Sequence, residues 1–155
     1  MKIYFMAPMR AKTNEEDYYK KIYDAVEKLG YKLIDKYLIE HDSDEHYKKF
    51  EDKSGGYYHT FYEKTISNIK TADINIFECS VPSLGLGYQV EKSLQLNKPT
   101  VILYQKGNAP HFLLGIDEDK LVLKVVDNDN LAETLDSAIK EASNKADKRF
   151  NFFIS

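Results

Sequence analysis

Residues 73–96 read DINIFECSVPSLGLGYQVEKSLQL, and this stretch decides the fold. Its first six residues, Asp73 to Glu78, carry the apolar Ile74, Ile76 and Phe77 and predict a short central strand. Pro82, Ser83 and two glycines follow, and such residues mark a turn. The turn opens a helix that we expect to continue through Leu96. A buried strand, a turn and a helix in this order are typical of one unit of a parallel α/β sheet.

The same alternation continues in both directions from this unit. Four more strands are predicted at Lys2–Met6, Tyr31–Ile34, Pro99–Tyr104 and Leu121–Val126. Amphipathic helices are predicted over Asn14–Leu29, over Tyr58–Lys70 and from about Leu131 to Ala142. This order predicts an α/β fold, a Rossmann-like (flavodoxin-like) three-layer sandwich around a five-stranded parallel sheet. We expect residues 1–155 to form a single domain.

Some boundaries and connections can be predicted as well. Thr13 or Asn14 is expected to cap the first helix, and Gly30 stands where a glycine often ends one. The polar stretch from Glu40 to Gly56 is expected to be a loop or a weak exposed helix. The apolar tail, residues 150–154, is expected to pack on the domain or on a second subunit.

Composition narrows the function classes. The chain carries 22 basic and 25 acidic residues, a net charge of −3, which argues against a nucleic acid polymer as partner. No apolar run approaches the roughly 20 residues of a membrane-spanning helix, and no signal peptide is recognisable. Cys79 is the single cysteine, so no disulfide can form within the chain. We therefore expect a cytoplasmic protein that does not act on a membrane.

In a doubly wound sheet the ligand site lies outside the carboxyl ends of the strands. Two turns are expected there, Ala7–Ala11 after the first strand and Ser80–Gly87 after the third. Backbone N–H groups at a glycine-rich helix start can approach an anion, and the helix dipole favours negative charge. Arg10 is a suitable phosphate clamp beside them. Two alternatives stay open: glycines that only serve positive φ in a tight turn, and a surface arginine paired with an acid.

Four segments carry a family resemblance. They are Ile3–Arg10 (IYFMAPMR), Ala72–Glu78 (ADINIFE), Pro82–Tyr88 (PSLGLGY) and Asn97–Pro99 (NKP), in this order and spacing. Over roughly residues 2–104 the chain resembles the 2′-deoxynucleoside 5′-phosphate N-hydrolases and, more distantly, the nucleoside 2-deoxyribosyltransferases. The resemblance implies cleavage of the N-glycosidic bond of deoxynucleotides by a homodimer that needs no metal or cofactor.

The ligand-holding residues carry over from this resemblance. It implies a nucleotide bound by backbone groups of the first turn, Ala7 and Met9, and by the side chain of Arg10. It implies an active-site role for Tyr4. It also implies that the third turn receives the 5′-phosphate through Ser83, Gly85 and Gly87.

The catalytic residues do not carry over. The family's catalytic glutamate directly follows the Gly-Tyr pair, and Gln89 stands there; its partner aspartate falls on Thr65. The serine that a neighbouring subunit lends falls near Pro110, and the first-turn glycine and serine are Ala7 and Pro8. Glycosidic cleavage builds positive charge on the sugar, which carboxylates stabilise and amides do not. We therefore expect a protein that binds a small nucleotide or nucleoside with little turnover by the family's route.

Two other readings remain open. An active N-glycosidase or deoxyribosyltransferase could use a relocated acid, for which Glu78 and Glu63 are candidates, while Glu91 should face away from the site. A dimeric interaction domain without catalysis is the third reading.

His41, His46 and His59 match no metal-ligand spacing, so no metal site is expected. Cys79 is expected to be inert packing, and His111 to lie on a loop that closes over the site or meets a second subunit.

Overall fold

The computed structural model describes residues 1–41 and 56–147. The strands are β1 (Lys2–Met6), β2 (Lys32–Leu33), β3 (Ile74–Glu78), β4 (Thr100–Gln105) and β5 (Leu121–Val126). The helices are α1 (Lys12–Lys28), α2 (Tyr37–Glu40), α3 (Gly56–Thr71), α4 (Leu84–Gln95) and α5 (Leu131–Asp147). The predicted tail at 150–154 and most of the predicted polar loop lie outside the described residues.

The five strands form one parallel sheet in the order β2-β1-β3-β4-β5. This is the order of the flavodoxin-like doubly wound fold, so the predicted fold class is confirmed. The strand order reverses between β1 and β3, which places a ligand crevice at their carboxyl ends.

Both faces of the sheet are covered by helices. The ring of Phe5 packs edge-on against Tyr19 and Tyr23 of α1, and α1 lies beside α5 on this face. On the other face Asn75 of β3 donates to the Ile69 carbonyl of α3 and to Ser93 of α4. Apart from the exposed Lys2, the side chains along β1 and β3 are almost completely buried, because parallel strands are covered on both sides.

A buried polar network fixes α4 against the sheet. Asn75 Nδ2 donates to Ser93 Oγ at 2.9 Å, and Ser93 Oγ lies 2.7 Å from Thr100 Oγ1. All three side chains are fully buried. Since a buried polar group that loses its partner costs about 1–3 kcal/mol, this network holds the last turn of α4 in a defined place against the sheet.

Several predicted boundaries were wrong. A 3-10 turn, Met9–Ala11, precedes α1, so the helix begins at Lys12 with Ala11 as its N-cap rather than Thr13 or Asn14. Strand β2 has only two residues, and three residues after it the chain enters α2, a short helix that the sequence did not predict. Gly30 has φ of +84°, as expected of a glycine that ends a helix.

Candidate functional site

A cavity of about 430 Å³ lies at the carboxyl ends of β1 and β3, between the first and third βα turns. Its lining residues are Met6, Ala7, Pro8, Met9, Arg10, Tyr37, Phe61, Pro82, Ser83, Leu84, Gly85, Leu86 and Gln89. Of the predicted site residues, the structure brings together here Ala7, Met9, Arg10, Ser83, Gly85 and Gln89. Tyr4, Thr65, Glu78 and Gly87 are not part of its lining.

The start of α4 forms one wall of the cavity. Ser83 is the N-cap, and its Oγ accepts a hydrogen bond from the Leu86 N–H at 3.3 Å. The Ser83 carbonyl accepts from the Gly87 N–H at 3.0 Å. The N–H groups of Leu84 and Gly85 precede the first intrahelical bond, so they and the positive end of the helix dipole are available to an anion.

The two glycines lie inside the first turns of α4, and the structure contradicts the alternative that they serve a positive φ. Among residues 1–41 and 56–147, positive φ occurs only at Gly30, Gly107 and Asn97. A Cβ added at Gly85 or Gly87 would meet no atom within 4 Å. Glycine in a helix costs about 0.5–1 kcal/mol relative to alanine, so nothing in the fold itself demands it here. At Gly85 the missing side chain leaves the cavity wall open.

The turn after β1 forms the opposite wall. Met6 and Ala7 are buried, and the Ala11 N–H donates to the Pro8 carbonyl at 3.0 Å, which closes the 3-10 turn. Arg10 lies on this turn with its side chain exposed at the cavity. A guanidinium and a helix N-terminus therefore face the same space, an arrangement that suits a phosphate group.

Tyr4, Thr65 and Gln89 meet behind the cavity. The fully buried Tyr4 hydroxyl donates to Gln89 Oε1 at 3.4 Å and is also hydrogen-bonded to the side chain of Thr65. Burial raises the pKa of Tyr4 well above its usual value, and the nearby charge of Asp35 raises it further. The hydroxyl is consequently neutral at physiological pH. The structure thus places both positions that the resemblance singled out, Thr65 and Gln89, around one tyrosine hydroxyl.

Asp35 is a residue of this region that the sequence analysis missed. It follows β2, where its carboxylate accepts hydrogen bonds from Asn68 Nδ2 and from the Tyr37 N–H. Its charge raises the pKa of Tyr4, Tyr23 and Tyr37. The sequence did carry a signal for Asp35, because it is a polar residue at the carboxyl end of β2, the strand beside β1.

An aromatic wall, defined here as Tyr37 and Phe61, was missed as well. The two ring centroids lie 5.2 Å apart. On the side of α2, the His41 ring stacks on Tyr37 at 4.2 Å. Lys64 Nζ lies 5.7 Å from the centre of the Tyr37 ring. The Tyr37 ring is buried and contacts both of these side chains, so the aromatic wall gives this side of the cavity an apolar lining rather than a free stacking face.

Glu78 does not point into the cavity. Phe77 packs edge-on against Tyr4, so its neighbour Glu78 projects from the opposite face of the sheet. There its carboxylate accepts hydrogen bonds from the Ser80 N–H and Oγ and lies close to Glu15 of α1. Burial raises the pKa of Glu78 to about 7. Glu63 and Glu91 are exposed and do not line the cavity.

The raised pKa of Glu78 predicts a pH-dependent contribution to stability. The folded protein keeps a proton on Glu78 that the unfolded chain releases near its ordinary pKa of 4.5. This contribution is therefore complete below about pH 4.5 and is lost as the pH rises through about 7. We expect Glu78→Gln to raise the free energy of unfolding by about 2 kcal/mol at about pH 8 and to change it little at about pH 4.5. Urea denaturation followed by circular dichroism measures both values; an equal change at the two pH values would contradict this account.

A second cavity of about 420 Å³ lies beside the first and shares Pro82, Ser83 and Leu86 with it. Its lining includes Cys79 and, on the loop after β4, His111. Burial raises the pKa of Cys79 to about 12, so the thiol is protonated, as expected of inert packing.

Within the described ranges there is no group of three or more metal-ligating side chains. No helix of the described part of the chain has the length and apolarity to cross a membrane.

Known proteins similar to this chain are nucleotide hydrolases. No family model matches it. Over 103 residues, 66% of the chain, it is 30% identical to a protein of Thermofilum pendens named as a 2′-deoxynucleoside 5′-phosphate N-hydrolase, and the match covers 67% of that protein. The chain belongs to the 2′-deoxynucleoside 5′-phosphate N-hydrolase family.

One further relative and one solved structure are also similar to this chain. The 5-hydroxymethyl-dUMP N-hydrolase of Rattus norvegicus is 25% identical over 66% of the chain, and the match spans 60% of that enzyme's length. A solved CMP N-glycosidase of Clostridium botulinum superposes with a TM-score of 0.63 at 15% identity, over 88% of this chain and 98% of that one. The likeness to this solved structure shows the fold alone.

Proposed function

We propose that this family member binds a nucleoside 5′-phosphate in the cavity between the first and third βα turns, without cleaving it by the carboxylate route. The observation that carries the proposal is the lining of the cavity. Among the residues that the structure describes, Arg10 is the only charged one that lines it, and Gln89 also lines it. An amide cannot supply the negative charge that a developing oxocarbenium ion needs.

Positive electrostatics support the phosphate end of this proposal. Arg10, the Ser83 cap and the start of α4 converge on the cavity from two elements. A phosphate held by a guanidinium and by helix N–H groups gains charge-assisted hydrogen bonds. The relatives named above act on small nucleotides by their names, which agrees with a ligand of this class.

The loss of catalytic carboxylates supports the absence of turnover. We propose that Gln89 and Thr65 occupy the positions of the family's glutamate and aspartate, because Gln89 follows the Gly87-Tyr88 pair without a gap. The two side chains meet at the Tyr4 hydroxyl, where two carboxylates would share one environment. The competing function, an active N-glycosidase with a relocated acid, has one observation in its favour: the charge of Asp35 acts on the same hydroxyl.

Calorimetric titration tests the binding proposal. We expect nucleoside 5′-monophosphates to bind and the matching nucleosides to bind at least tenfold more weakly, because a charge-assisted hydrogen bond contributes about 1.5–3 kcal/mol. The panel is AMP, GMP, CMP and UMP, their 2′-deoxy counterparts and the eight nucleosides. Absence of binding by all of them would remove the proposal.

Two glycines of α4 provide a matched pair for this titration. Gly85→Ala places a methyl group at the cavity wall. Gly87→Ala adds the same group two residues further along α4, at a position that does not line this cavity. Both variants should be slightly more stable than the wild type, by about 0.5–1 kcal/mol, since alanine is the better helix former. Only Gly85→Ala should weaken nucleotide binding. Equal affinities for the two variants would place the ligand elsewhere.

We also propose that the protein forms a homodimer across an apolar face beside the cavity. Leu84 is 98% exposed and Phe112 92% exposed, and they flank a groove of about 650 Å³ that is also lined by Val90, Leu113 and Ile116. Large apolar side chains left this exposed mark an interaction surface. Because Leu84 also lines the nucleotide cavity, a second copy would cover its mouth.

Light scattering coupled to size-exclusion chromatography tests the dimer. The expected result is a dimer for the wild type and a monomer for Leu84→Asp combined with Phe112→Asp. Val125→Asp changes a half-exposed apolar residue on β5 and serves as the control that stays dimeric. A monomeric wild type would contradict the proposal.

We propose that the protein is cytoplasmic. The single cysteine, Cys79, is buried as a free thiol, which suits a reducing compartment.

A further inference from the structure

Gln89 lines the cavity at a distance from the start of α4. It is six residues beyond the Ser83 cap, about 9 Å along α4, and helical side chains lean back toward the N-terminus. The aromatic wall belongs to α2 and α3, and Phe61 stands one turn before Thr65 on α3. A nucleotide that places its phosphate at the α4 start and its base at the aromatic wall therefore presents its sugar to Gln89.

The amide of Gln89 has a defined orientation. The Tyr4 hydroxyl is neutral, so it donates one hydrogen bond, and Gln89 Oε1 accepts it. The hydrogen bond from the Thr65 side chain satisfies the tyrosine oxygen, which completes a chain from Thr65 through Tyr4 to Gln89. Since Oε1 is turned toward Tyr4, the Nε2 donor group is the part of the amide left to face the cavity.

We propose that Gln89 Nε2 donates a hydrogen bond to the ribose 2′-hydroxyl, so that the site prefers ribonucleoside 5′-phosphates to their 2′-deoxy counterparts. The 3′-hydroxyl is common to both sugars and cannot distinguish them, whereas the 2′-hydroxyl adjoins the carbon that carries the base. This inference rests on the proposed nucleotide-binding function and names the ligand class of the same site.

A deoxynucleotide would leave this donor facing a sugar carbon without a partner. Unsatisfied polar groups oppose binding, and a site built around a hydroxyl rejects the analogue that lacks it. Because Gln89 is only partly buried, water can partly replace the hydroxyl. We therefore expect a preference for the ribonucleotide of about five- to tenfold rather than several thousandfold.

Paired titrations of each ribonucleotide with its deoxynucleotide test the inference in wild type, Gln89→Leu and Tyr4→Phe. The wild type should prefer the ribonucleotide, and Gln89→Leu should erase that preference while it keeps binding through the phosphate. Tyr4→Phe removes the donor that orients the amide without opening a cavity in the core, and it should reduce the preference.

Absence of all nucleotide binding would remove the proposed function itself. Equal wild-type affinities, or a preference that survives Gln89→Leu, would overturn this inference and leave the proposed function intact.

Discussion

Replacing Gln89 by Glu together with Thr65 by Asp should turn the chain into a hydrolase that releases free base from a nucleoside 5′-monophosphate. We expect the rate to exceed that of the wild type at least about 100-fold, because a positioned acid or base alone contributes about 10²–10⁴-fold and a nucleophile adds to this. The scaffold for this gain exists, since both side chains already meet at the Tyr4 hydroxyl beside the cavity. Chromatographic separation of free base from nucleotide measures the rate.

The single variants and a folding control make the result interpretable. Gln89→Glu alone should give the smaller part of the gain, and Thr65→Asp alone almost none, because it leaves an amide facing the sugar. Thr65 is buried, so the thermal midpoint of each variant must be recorded beside its rate. A double variant that is folded, binds nucleotide and releases no base would contradict our account of the missing carboxylates. Rapid release by the wild type would favour a relocated acid.

Arg10→Ala should weaken binding of nucleoside 5′-monophosphates by about 10- to 100-fold, the equivalent of losing a charge-assisted hydrogen bond of about 1.5–3 kcal/mol. Arg10 lines the cavity opposite the α4 start, where a phosphate gains from both positive partners. Calorimetric titration measures the change. The affinity for the matching nucleosides should stay close to the wild-type value, since they lack the group that arginine holds.

Two matched substitutions define the specificity of this effect. Lys106→Ala removes a positive charge that is exposed near the same end of the sheet but does not line the cavity, so it should alter affinity little. Arg10→Lys keeps the charge without the planar fork and should fall between wild type and alanine. If nucleosides and nucleotides lose affinity equally in Arg10→Ala, the arginine shapes the turn instead of binding the phosphate.

The sequence predicted the layers of the fold well and the ends of its elements less well. The buried runs of β1 and β3 and the helical periods between them left little choice of architecture, since alternating strands and helices form a parallel sheet. The start of α1 was missed because Ala11, which has no capping side chain, precedes the helix after a 3-10 turn. The short α2 was missed because its four residues carry too little periodic signal.

The candidate site was predicted where it depends on chain order and missed where it depends on packing. Arg10 and Ser83 follow the two strands at which the strand order reverses, so topology alone brings them together. Tyr37 and Phe61 reach the cavity through the placement of α2 and α3, which no local pattern shows. The direction of the Glu78 side chain could not be predicted, because β3 is buried on both faces and its sequence carries no alternation from which that direction could be read.

A crystal structure of the wild-type protein soaked with the nucleotide that it binds most tightly tests the central claim most directly. We predict an intact nucleotide, with its phosphate between Arg10 and the start of α4 and its sugar opposite the amide of Gln89. No carboxylate should lie within reach of the carbon that carries the base. A carboxylate from any part of the chain or from a second subunit against that carbon, or free base in the cavity, would contradict the account.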